Sequence, residues 1–197
     1  MNTIMFGFAC LIAYLIGAIP FGFLVAKGRG IDIREVGSGN IGGTNITRNL
    51  GFKWGLLVGI LDFCKSFLPV QLARHLFVSE WQILFFSLIP VIGHIYPIWL
   101  HFKGGKGVAT IFGIFAAFFG LPLFFICLAI WYLVVRSVKL MSLINLLVGL
   151  LLPVAFWLKF QEPLFMLFGL ALCTIIWWSH RENIKRLLAG EEHHVNY

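Results

Sequence analysis

The sequence predicts an all-α integral membrane protein, a compact bundle of about seven transmembrane helices. Its composition is the first observation. Of the 197 residues, 60% are hydrophobic and only 12% are charged, whereas soluble domains are about 45–50% apolar and about 25% charged. The second observation is a series of apolar runs of about membrane length. The third is the gathering of lysine and arginine in alternate connections between these runs. Together they exclude a soluble enzyme, a disordered chain and a secreted disulfide scaffold.

Seven apolar segments are predicted to cross or enter the bilayer. The first contains no charge before Lys27 and follows no basic n-region, so we expect a retained span rather than a signal peptide. The fourth and fifth are short and meet at the turn signal Gly120-Leu121-Pro122. A single bent helix or a re-entrant pair, with five or six full crossings, therefore stays an alternative. The predicted segments are residues 3–26, 54–73, 82–100, 108–119, 121–135, 141–158 and 164–179.

The basic residues predict an external N-terminus and a cytoplasmic C-terminus. In that orientation 12 lysines and arginines lie in internal connections and two in external ones, while Lys65 lies within a span. The opposite orientation would reverse the positive-inside bias. We interpret the net charge of +7 as topology and affinity for an anionic substrate. Nucleic acid is not expected as a partner, because no soluble domain is present to carry such a surface.

The first polar internal segment, residues 37–48, reads GSGNIGGTNITR. Glycines allow backbone N–H groups to approach a ligand closely. Successive free N–H groups would form an anion-binding nest, to which Arg48 adds a fixed charge. A flexible cytoplasmic loop is the alternative interpretation.

The second polar segment, residues 93–110, reads GHIYPIWLHFKGGKGVAT. Lys103 and Lys106 stand among three glycines directly before an apolar helix, and a helix N-terminus favours phosphate. The segment is not a Walker A loop, because Gly107 follows Lys106. The alternatives are lysines that anchor a span at the interface and, for His94, a packing role.

The third polar segment, residues 179–186, leaves the last span. His180 and Asn183 stand at positions i and i+3 and share one face of a helix. A histidine beside an amide at the membrane surface can orient or deprotonate a hydroxyl group. A stop-transfer cluster would explain the basic residues of this segment but not His180.

Asp62 and Lys65 stand three residues apart within the second span. Either charge alone would cost about 2.5–3.5 kcal/mol at the centre of a bilayer, so we expect them to pair. A structural ion pair and direct contact with substrate both stay open. Arg136 and Ser142 flank a short internal turn and are expected to face the same chamber.

The sequence gives little support to thiol, metal or carboxylate chemistry. The four cysteines are far apart and no Cys/His spacing is typical of a metal site. The sequence also lacks paired internal carboxylates, HExxH, GxSxG and the HxxxxD arrangement of a large class of acyltransferases. A metal site is therefore not supported by the residues.

Together the three segments resemble one family, the bacterial acyl-phosphate:glycerol-3-phosphate acyltransferases. The resemblance rests on GSGNIGGTN with Arg48, on GHIYPIWLHFKGGKGVAT and on HRENIKRLLAGEE, in this order, with LDFCK in the second span. It implies transfer of a fatty acyl group from acyl phosphate to the 1-hydroxyl of glycerol 3-phosphate. The products would be lysophosphatidic acid and inorganic phosphate, in the first acylation of phospholipid biosynthesis. The resemblance also implies no metal and no organic cofactor.

The resemblance also implies a fold and a location. We expect one domain over residues 1–197, with seven transmembrane helices, in the bacterial cytoplasmic (inner) membrane. The active site would face the cytoplasm. Membrane lipid would surround the protein, and no obligate protein partner is inferred.

Carried over residue by residue, the resemblance gives a set of site residues. The first loop and Arg48 would hold glycerol 3-phosphate, and Lys106 with its glycines would hold acyl phosphate. Ser38, His180 and Asn183 would position the attacking hydroxyl and stabilise the carbonyl oxygen, while the departing phosphate can itself accept the proton. The predicted catalytic residues are Ser38, Lys106, His180 and Asn183. The predicted substrate-binding residues are Gly39, Asn40, Gly42, Thr44, Asn45, Arg48, Lys103, Gly104, Gly105, Gly107 and Ser142.

Three positions depart from the family pattern. Gly43 stands where alanine is common, Ser66 where glycine is expected, and Lys139 where a small hydroxyl residue is frequent. Two other functions remain for comparison. A transporter for an organic phosphate would show interrupted spans in matching halves, and no internal repeat is evident. A structural membrane subunit has no use for the glycine-rich loops.

Overall fold

The computed structural model describes residues 3–195 and is entirely helical in its regular structure over that range. The predicted all-α membrane fold is confirmed. A short 3-10 helix, Ile98–Leu100, follows the fifth α-helix. The α-helices in chain order are α1 Thr3–Ala18, α2 Phe21–Lys27, α3 Gly43–Leu50, α4 Phe52–Leu76, α5 Glu80–Ile95, α6 Val108–Phe119, α7 Leu121–Val138, α8 Met141–Phe160, α9 Pro163–Ser179 and α10 Arg181–Ala189.

Five stretches within residues 3–195 are long and apolar enough to cross a membrane. They are Thr3–Lys27, Phe52–Leu76, Glu80–Leu100, Leu121–Val138 and Met141–Phe160. A sixth is available if α9 and α10, which meet at a bend of 61°, form one broken span. All seven segments predicted as spans are helical, but α6 has only 12 residues. The number of complete crossings and the orientation of the termini stay predictions.

The ends of the helices follow from local chemistry. α1 ends at Ala18 and α2 begins at Phe21, because Pro20 lacks an N–H and disfavours the helical conformation at the residue before it. α6 and α7 are separate helices. Gly120 between them has a φ of +90° and Pro122 stands in the first turn of α7. Whether this pair crosses the bilayer as two spans, as one bent span or as a re-entrant pair stays a prediction.

The chain divides into two compact units, one ending at Phe118 and the other beginning at Phe119. In the first unit α4 packs against α1, α2, α3 and α5, and α1 packs along α5. In the second unit α8 packs against α7 and α9, and α10 contacts α8 and α9. That the two units act as one domain stays a prediction.

Small residues allow the helix backbones to approach closely within each unit. A Cβ atom at Gly17 of α1 would overlap the backbone of Pro90 in α5, and one at Gly93 would overlap the carbonyl oxygen of Tyr14. In the second unit, a Cβ at Gly169 would meet the backbone of Pro153. Close backbone packing of this kind drives helix association in lipid, where burial of apolar surface gives little gain.

Candidate active site

The glycine-rich segment 37–42 is held in place by one buried side chain, Asn45 in the first turn of α3. The two N–H groups of its Nδ2 are shared among the carbonyl oxygens of Ile33 at 3.2 Å, Val36 at 3.0 Å and Asn40 at 3.0 Å. Its Oδ1 accepts the backbone N–H of Ser38 at 3.1 Å. Since Oδ1 also accepts Nδ2 of Asn49 at 3.1 Å, the polar groups of this amide are occupied by the loop and the residues around it. A contact between Asn45 and substrate would have to replace one of these bonds.

The turns around Ser38 require glycine on both sides. Gly37 and Gly39 have φ values of +59° and +67°, a region that residues with a Cβ rarely occupy. A Cβ at Gly37 would also overlap the side-chain amide of Asn45. Ser38 is consequently exposed at the tip of a tight turn, where its hydroxyl is accessible.

The backbone N–H groups of this loop point to acceptors within the protein. Ser38 N–H donates to Asn45, Gly39 N–H to the carbonyl of Val36 at 3.1 Å, and Gly42 N–H to Oδ1 of Asn40 at 2.8 Å. The predicted nest of free N–H groups is therefore wrong for these three amides. These three amides have acceptors within the protein, and the exposed side chains of Ser38 and Arg48 are further groups that can reach a ligand.

Close packing fixes α3, which carries Thr44 and Arg48, against α4. A Cβ at Gly55 would overlap the hydroxyl of Thr47, and a Cβ at Gly43 would lie 2.8 Å from the carbonyl oxygen of Gly55. This contact gives a physical reason for glycine rather than alanine at position 43. The exposed Arg48 thus extends from a helix with a fixed position.

An ion pair stabilises the chain where it enters this loop. Nη2 of Arg34 lies 2.5 Å from Oδ2 of Asp32, and both Nε and the backbone N–H of Arg34 donate to Oδ1. These hydrogen bonds lower the pKa of Asp32 to about 2. Asp32 is consequently ionised at any physiological pH.

The second segment folds back along the last turn of α5. The N–H groups of Gly104 and Gly105 donate to the carbonyl oxygens of Ile95 at 3.0 Å and His94 at 3.1 Å. A Cβ at Gly104 would overlap the carbonyl oxygen of His94, and one at Gly105 would overlap the imidazole ring of His94. Both glycines are therefore required by the close approach to α5. Lys106 follows directly and is half-buried, whereas Lys103 is exposed.

The predicted pairing of Asp62 with Lys65 is confirmed. Lys65 Nζ lies 2.8 Å from Oδ1 of Asp62, with side chains 1% and 4% exposed. Sequence reasoning missed a third member of this cluster, because His94 Nδ1 of α5 lies 3.5 Å from the same carboxylate oxygen. The only available signal was that His94 lies in the next predicted span along the chain. Its presence there does not establish which residue it contacts.

His180 of the second unit lies at the bend between α9 and α10 and is 1% exposed. Its Nδ1 lies 2.8 Å from the carbonyl oxygen of Ile176. Since a carbonyl only accepts, we assign the proton to Nδ1 from this hydrogen bond. When the ring is neutral, this assignment makes Nε2 the acceptor nitrogen, which is the state that a group receiving a proton from a hydroxyl needs.

Asn183 is held by a carboxylate that sequence reasoning did not include. Its Nδ2 donates to Oε1 of Glu192 at 2.8 Å, while Nε of Arg186 donates to Oε2 of the same residue at 3.1 Å. Because a carboxylate only accepts, the contact fixes which side of the amide is nitrogen. Oδ1 of Asn183 is buried and has no hydrogen-bond partner within residues 3–195. The available atom is thus an acceptor.

Ser142 stands in the first turn of α8 and is also buried. Its hydroxyl has no hydrogen-bond partner in the part of the chain that the structure describes, although buried hydroxyls usually have one. The preceding turn contains Lys139 with a φ of +62°, and the N–H of Val195 donates to the carbonyl of Lys139 at 2.9 Å. The C-terminal segment therefore packs on this turn.

The predicted site residues thus fall into two groups. The first unit carries the two glycine-rich loops with Ser38, Arg48 and Lys106, and the second carries Ser142, His180 and Asn183. Each group has a local scaffold of buried hydrogen bonds. That both groups serve one reaction stays a prediction.

Comparisons with known proteins bear on this arrangement. A family model described as glycerol-3-phosphate acyltransferase matches residues 7–190. The glycerol-3-phosphate acyltransferase of Aquifex aeolicus (strain VF5) is 43% identical over 192 residues, which is 94% of this chain and 97% of the relative. That of Agrobacterium fabrum (strain C58) is 41% identical over 191 residues, covering 95% and 90%.

Two crystal structures are similar over nearly the whole chain. Both are of PlsY (YgiH), an integral membrane glycerol 3-phosphate acyltransferase. The glycerol 3-phosphate form has a TM-score of 0.89 and 37% identity, covering 98% of this chain and 96% of that one. The lysophosphatidic acid form has a TM-score of 0.87 and 36% identity, with the same coverage.

Proposed function

Because this chain belongs to the glycerol-3-phosphate acyltransferase family, we propose that acyl phosphate is the donor of its acyl group. The protein is a multi-pass membrane enzyme that acylates glycerol 3-phosphate to lysophosphatidic acid in phospholipid biosynthesis. An enzymatic function replaces the transporter and structural-subunit alternatives. The identity of the acyl donor, the roles of the site residues and the side of the membrane that the site faces are proposals.

The observation that carries the proposal is the presence of two basic, glycine-rich loops with separate scaffolds. One is fixed by Asn45 and carries Arg48 nearby, and the other is fixed on α5 and carries Lys106. Two such loops suit two phosphate groups, one on glycerol 3-phosphate and one on an acyl phosphate. A thioester donor has no phosphate at its reacting carbon and would leave one loop without a function.

We assign the loops as follows. Arg48 holds glycerol 3-phosphate. Its surroundings are shaped by the turn residues Gly39, Asn40, Gly42 and Thr44. Lys106 and Lys103 hold the acyl phosphate, and Ser142 donates its hydroxyl to a phosphate oxygen. The remaining residues determine the conformation of the loops and do not contact substrate; they are Asn45, Gly104, Gly105 and Gly107.

Three residues position the attacking hydroxyl. His180 Nε2 and Asn183 Oδ1 are acceptors in the tautomer and amide orientation described above, so they suit the hydrogen of the 1-hydroxyl of glycerol 3-phosphate. Ser38 is exposed and can donate to the carbonyl oxygen, where negative charge develops. The amide of Asn183 is consequently better suited to the hydroxyl than to the carbonyl oxygen, a narrower role than the sequence predicts.

The chemical step is an acyl transfer. The hydroxyl oxygen forms a bond to the carbonyl carbon, and the bond from that carbon to the phosphate oxygen breaks. The proton leaves through His180 or goes directly to the departing phosphate, and the products are the ester and inorganic phosphate. Because acyl phosphate is already activated, correct orientation of the two substrates accounts for much of the rate.

We also propose that the site faces the cytoplasm in a bacterial inner membrane. The support is the excess of lysine and arginine in the connections that carry the site residues, which is typical of cytoplasmic loops.

The test of the donor uses purified protein in detergent or lipid with acyl phosphate and glycerol 3-phosphate. Phosphate and lysophosphatidic acid are measured together, with acyl-CoA as a parallel donor. We expect equal amounts of both products, dependent on glycerol 3-phosphate, and neither product with acyl-CoA. Lysophosphatidic acid formed from acyl-CoA, or phosphate released without lysophosphatidic acid, would overturn the proposal.

The residue assignment is tested with Ser38→Ala and Lys106→Ala. Both should abolish turnover while the protein remains folded and inserted, because each removes a group placed at the reacting atoms or a phosphate. Thermal unfolding in detergent checks the fold. Wild-type turnover in both variants would contradict the assignment.

A further inference from the structure

One face of α4 carries three buried polar side chains that the proposed reaction does not use. Asp62, Lys65 and Ser66 stand at positions i, i+3 and i+4, which share a helix face. Each residue is at most 4% exposed. Ionisable residues in a span are costly and are kept where they are paired or functional. The partners of these side chains lie on three other segments of the first unit.

Lys65 connects α4 to the break between α1 and α2. Its Nζ donates to the carbonyl oxygen of Ile19 at 3.2 Å and lies 2.8 Å from Oδ1 of Asp62. Pro20 interrupts the helix at this point and leaves carbonyl groups without their usual helical donors. The lysine therefore supplies a donor where the sequence breaks a span.

Asp62 connects α4 to the loop that carries Lys106. Its carboxylate lies 3.5 Å from Nδ1 of His94. The carbonyl of His94 accepts the N–H of Gly105, and its ring occupies the space beside Gly105. A continuous series of contacts thus runs from Lys65 through Asp62 and His94 to the residue directly before Lys106.

Ser66 connects α4 to the other end of the same loop. Its hydroxyl donates to the carbonyl oxygen of Thr110 in the first turn of α6. One turn later Gly113 packs so closely that a Cβ atom there would overlap the carbonyl oxygen of Phe63. The loop 103–107 is therefore fixed at its start by His94 and at its end by α6, and both anchors rest on α4.

We propose that Asp62, Lys65 and Ser66 are positioning residues that set the place of Lys106 by holding both ends of loop 103–107. They do not touch substrate. The inference rests on the proposed role of Lys106 as the acyl phosphate ligand. Ser66 is of special interest, because it stands where the family pattern leads us to expect glycine. This chain therefore has an anchor that a glycine could not provide.

The first test compares Ser66→Ala with Ser87→Ala. Both serines are fully buried and each reaches a carbonyl oxygen of its own helix, Phe63 at 3.2 Å for Ser66 and Ile83 at 2.7 Å for Ser87. Ser66 in addition reaches Thr110 of α6. Ser66→Ala should raise KM for acyl phosphate about fivefold, the factor that corresponds to one net hydrogen bond, with little change in kcat. Ser87→Ala should leave KM unchanged.

Hydrogen–deuterium exchange of the amides of Gly104 and Gly105 gives a readout that does not depend on catalysis. These amides should exchange faster in Ser66→Ala than in wild type or Ser87→Ala. If wild type transferred no acyl group from acyl phosphate, the proposed donor would be wrong, and the exchange comparison would still decide the positioning role. Equal exchange and equal KM in the two serine variants would overturn the inference.

The second test separates positioning from stability. Asp62→Asn or Lys65→Met alone leaves one buried charge unpaired and should destabilise the protein strongly. The double variant removes both charges and should recover most of the thermal stability, as replacement of a buried pair often does. Its Gly104 and Gly105 amides should nevertheless exchange faster and its KM for acyl phosphate should stay raised, because the carboxylate beside His94 is gone.

Lys53→Met serves as the control for loss of a positive charge on α4, because Lys53 is exposed at the start of the helix. It should keep the wild-type KM and exchange rates. A double variant with wild-type stability, exchange and KM would show that the network has no positioning role.

Discussion

The two glycine-rich loops of the first unit differ in how they are held. Loop 37–42 is fixed by Asn45, a side chain only a few residues further along the chain, and it lies at an exposed surface. Loop 103–107 is fixed by His94 and, through the start of α6, by α4: the buried residues Ser66 and Thr110 that join these helices are 44 positions apart in sequence. The first loop is thus a local structure, while the second depends on the packing of the helices. Substitutions should separate these two cases.

The largest effect is expected for Gly105→Ala. The new methyl group would overlap the ring of His94, and displacement of the loop by about 1 Å can lower a rate about 100-fold. Turnover with acyl phosphate is the measurement. Gly59→Ala is the matched control, because a Cβ atom there meets nothing within 4 Å. An active Gly105→Ala variant would mean that this loop adapts as easily as the other.

A smaller effect is expected for Asn45→Ala. It removes the bonds from Asn45 to Ile33, Val36, Asn40 and Ser38 at once, and each buried group left unsatisfied costs about 1–3 kcal/mol. We expect a lower Tm and turnover reduced about tenfold. This factor corresponds to an increase of about 1.4 kcal/mol in the activation free energy, caused by poorer positioning of the loop.

Exchange rates sharpen the comparison between the loops in this variant. In Asn45→Ala the amide of Ser38 should exchange faster, while the amides of Gly104 and Gly105 should keep their wild-type rates. Faster exchange in both loops would contradict the local character of the first one.

The smallest effect is expected for Asp32→Asn. The hydrogen bonds from Arg34 lower the pKa of Asp32 to about 2. A lowered pKa in the folded state stabilises it above the unfolded pKa near 4. This stabilisation is lost as the pH falls toward 2. Since both side chains remain in contact with solvent, loss of the pair should lower Tm only slightly at pH 7.

The pH dependence is the informative measurement for this variant. The difference in Tm between wild type and Asp32→Asn should be constant from pH 7 to about 5 and should shrink below pH 4. A large loss of turnover at pH 7 would show that the first loop depends on more than Asn45.

The sequence was sufficient to predict the apolar helices and several features within single elements. Apolar runs predicted the long apolar helices but not α3, most of which lies in a segment expected to be a polar loop. The spacing of Asp62 and Lys65 on one helix predicted their pairing, which the structure confirms. Predictions within one element succeed because spacing along a helix determines which side chains are neighbours.

Contacts between different helices and loops could not be predicted from spacing within one element. The contacts of His94 with Asp62 and of Glu192 with Asn183 join different segments, and no periodicity specifies which segments meet. The directions of the loop N–H groups were also predicted wrongly. Glycine content indicates that a backbone can turn, but not which acceptor its N–H groups will find.

The amides of Gly104 and Gly105 have a further electrostatic consequence. An α-helix carries partial negative charge at its C-terminus, on carbonyl groups that lack partners. The loop proposed to hold an anion packs against this end of α5, which by itself would repel a phosphate. Because the two glycine amides bond to the carbonyls of His94 and Ile95, part of that negative potential is cancelled within the protein. The lysines then attract the anion against a weaker opposing field. The two glycines thereby favour phosphate binding without contacting the phosphate.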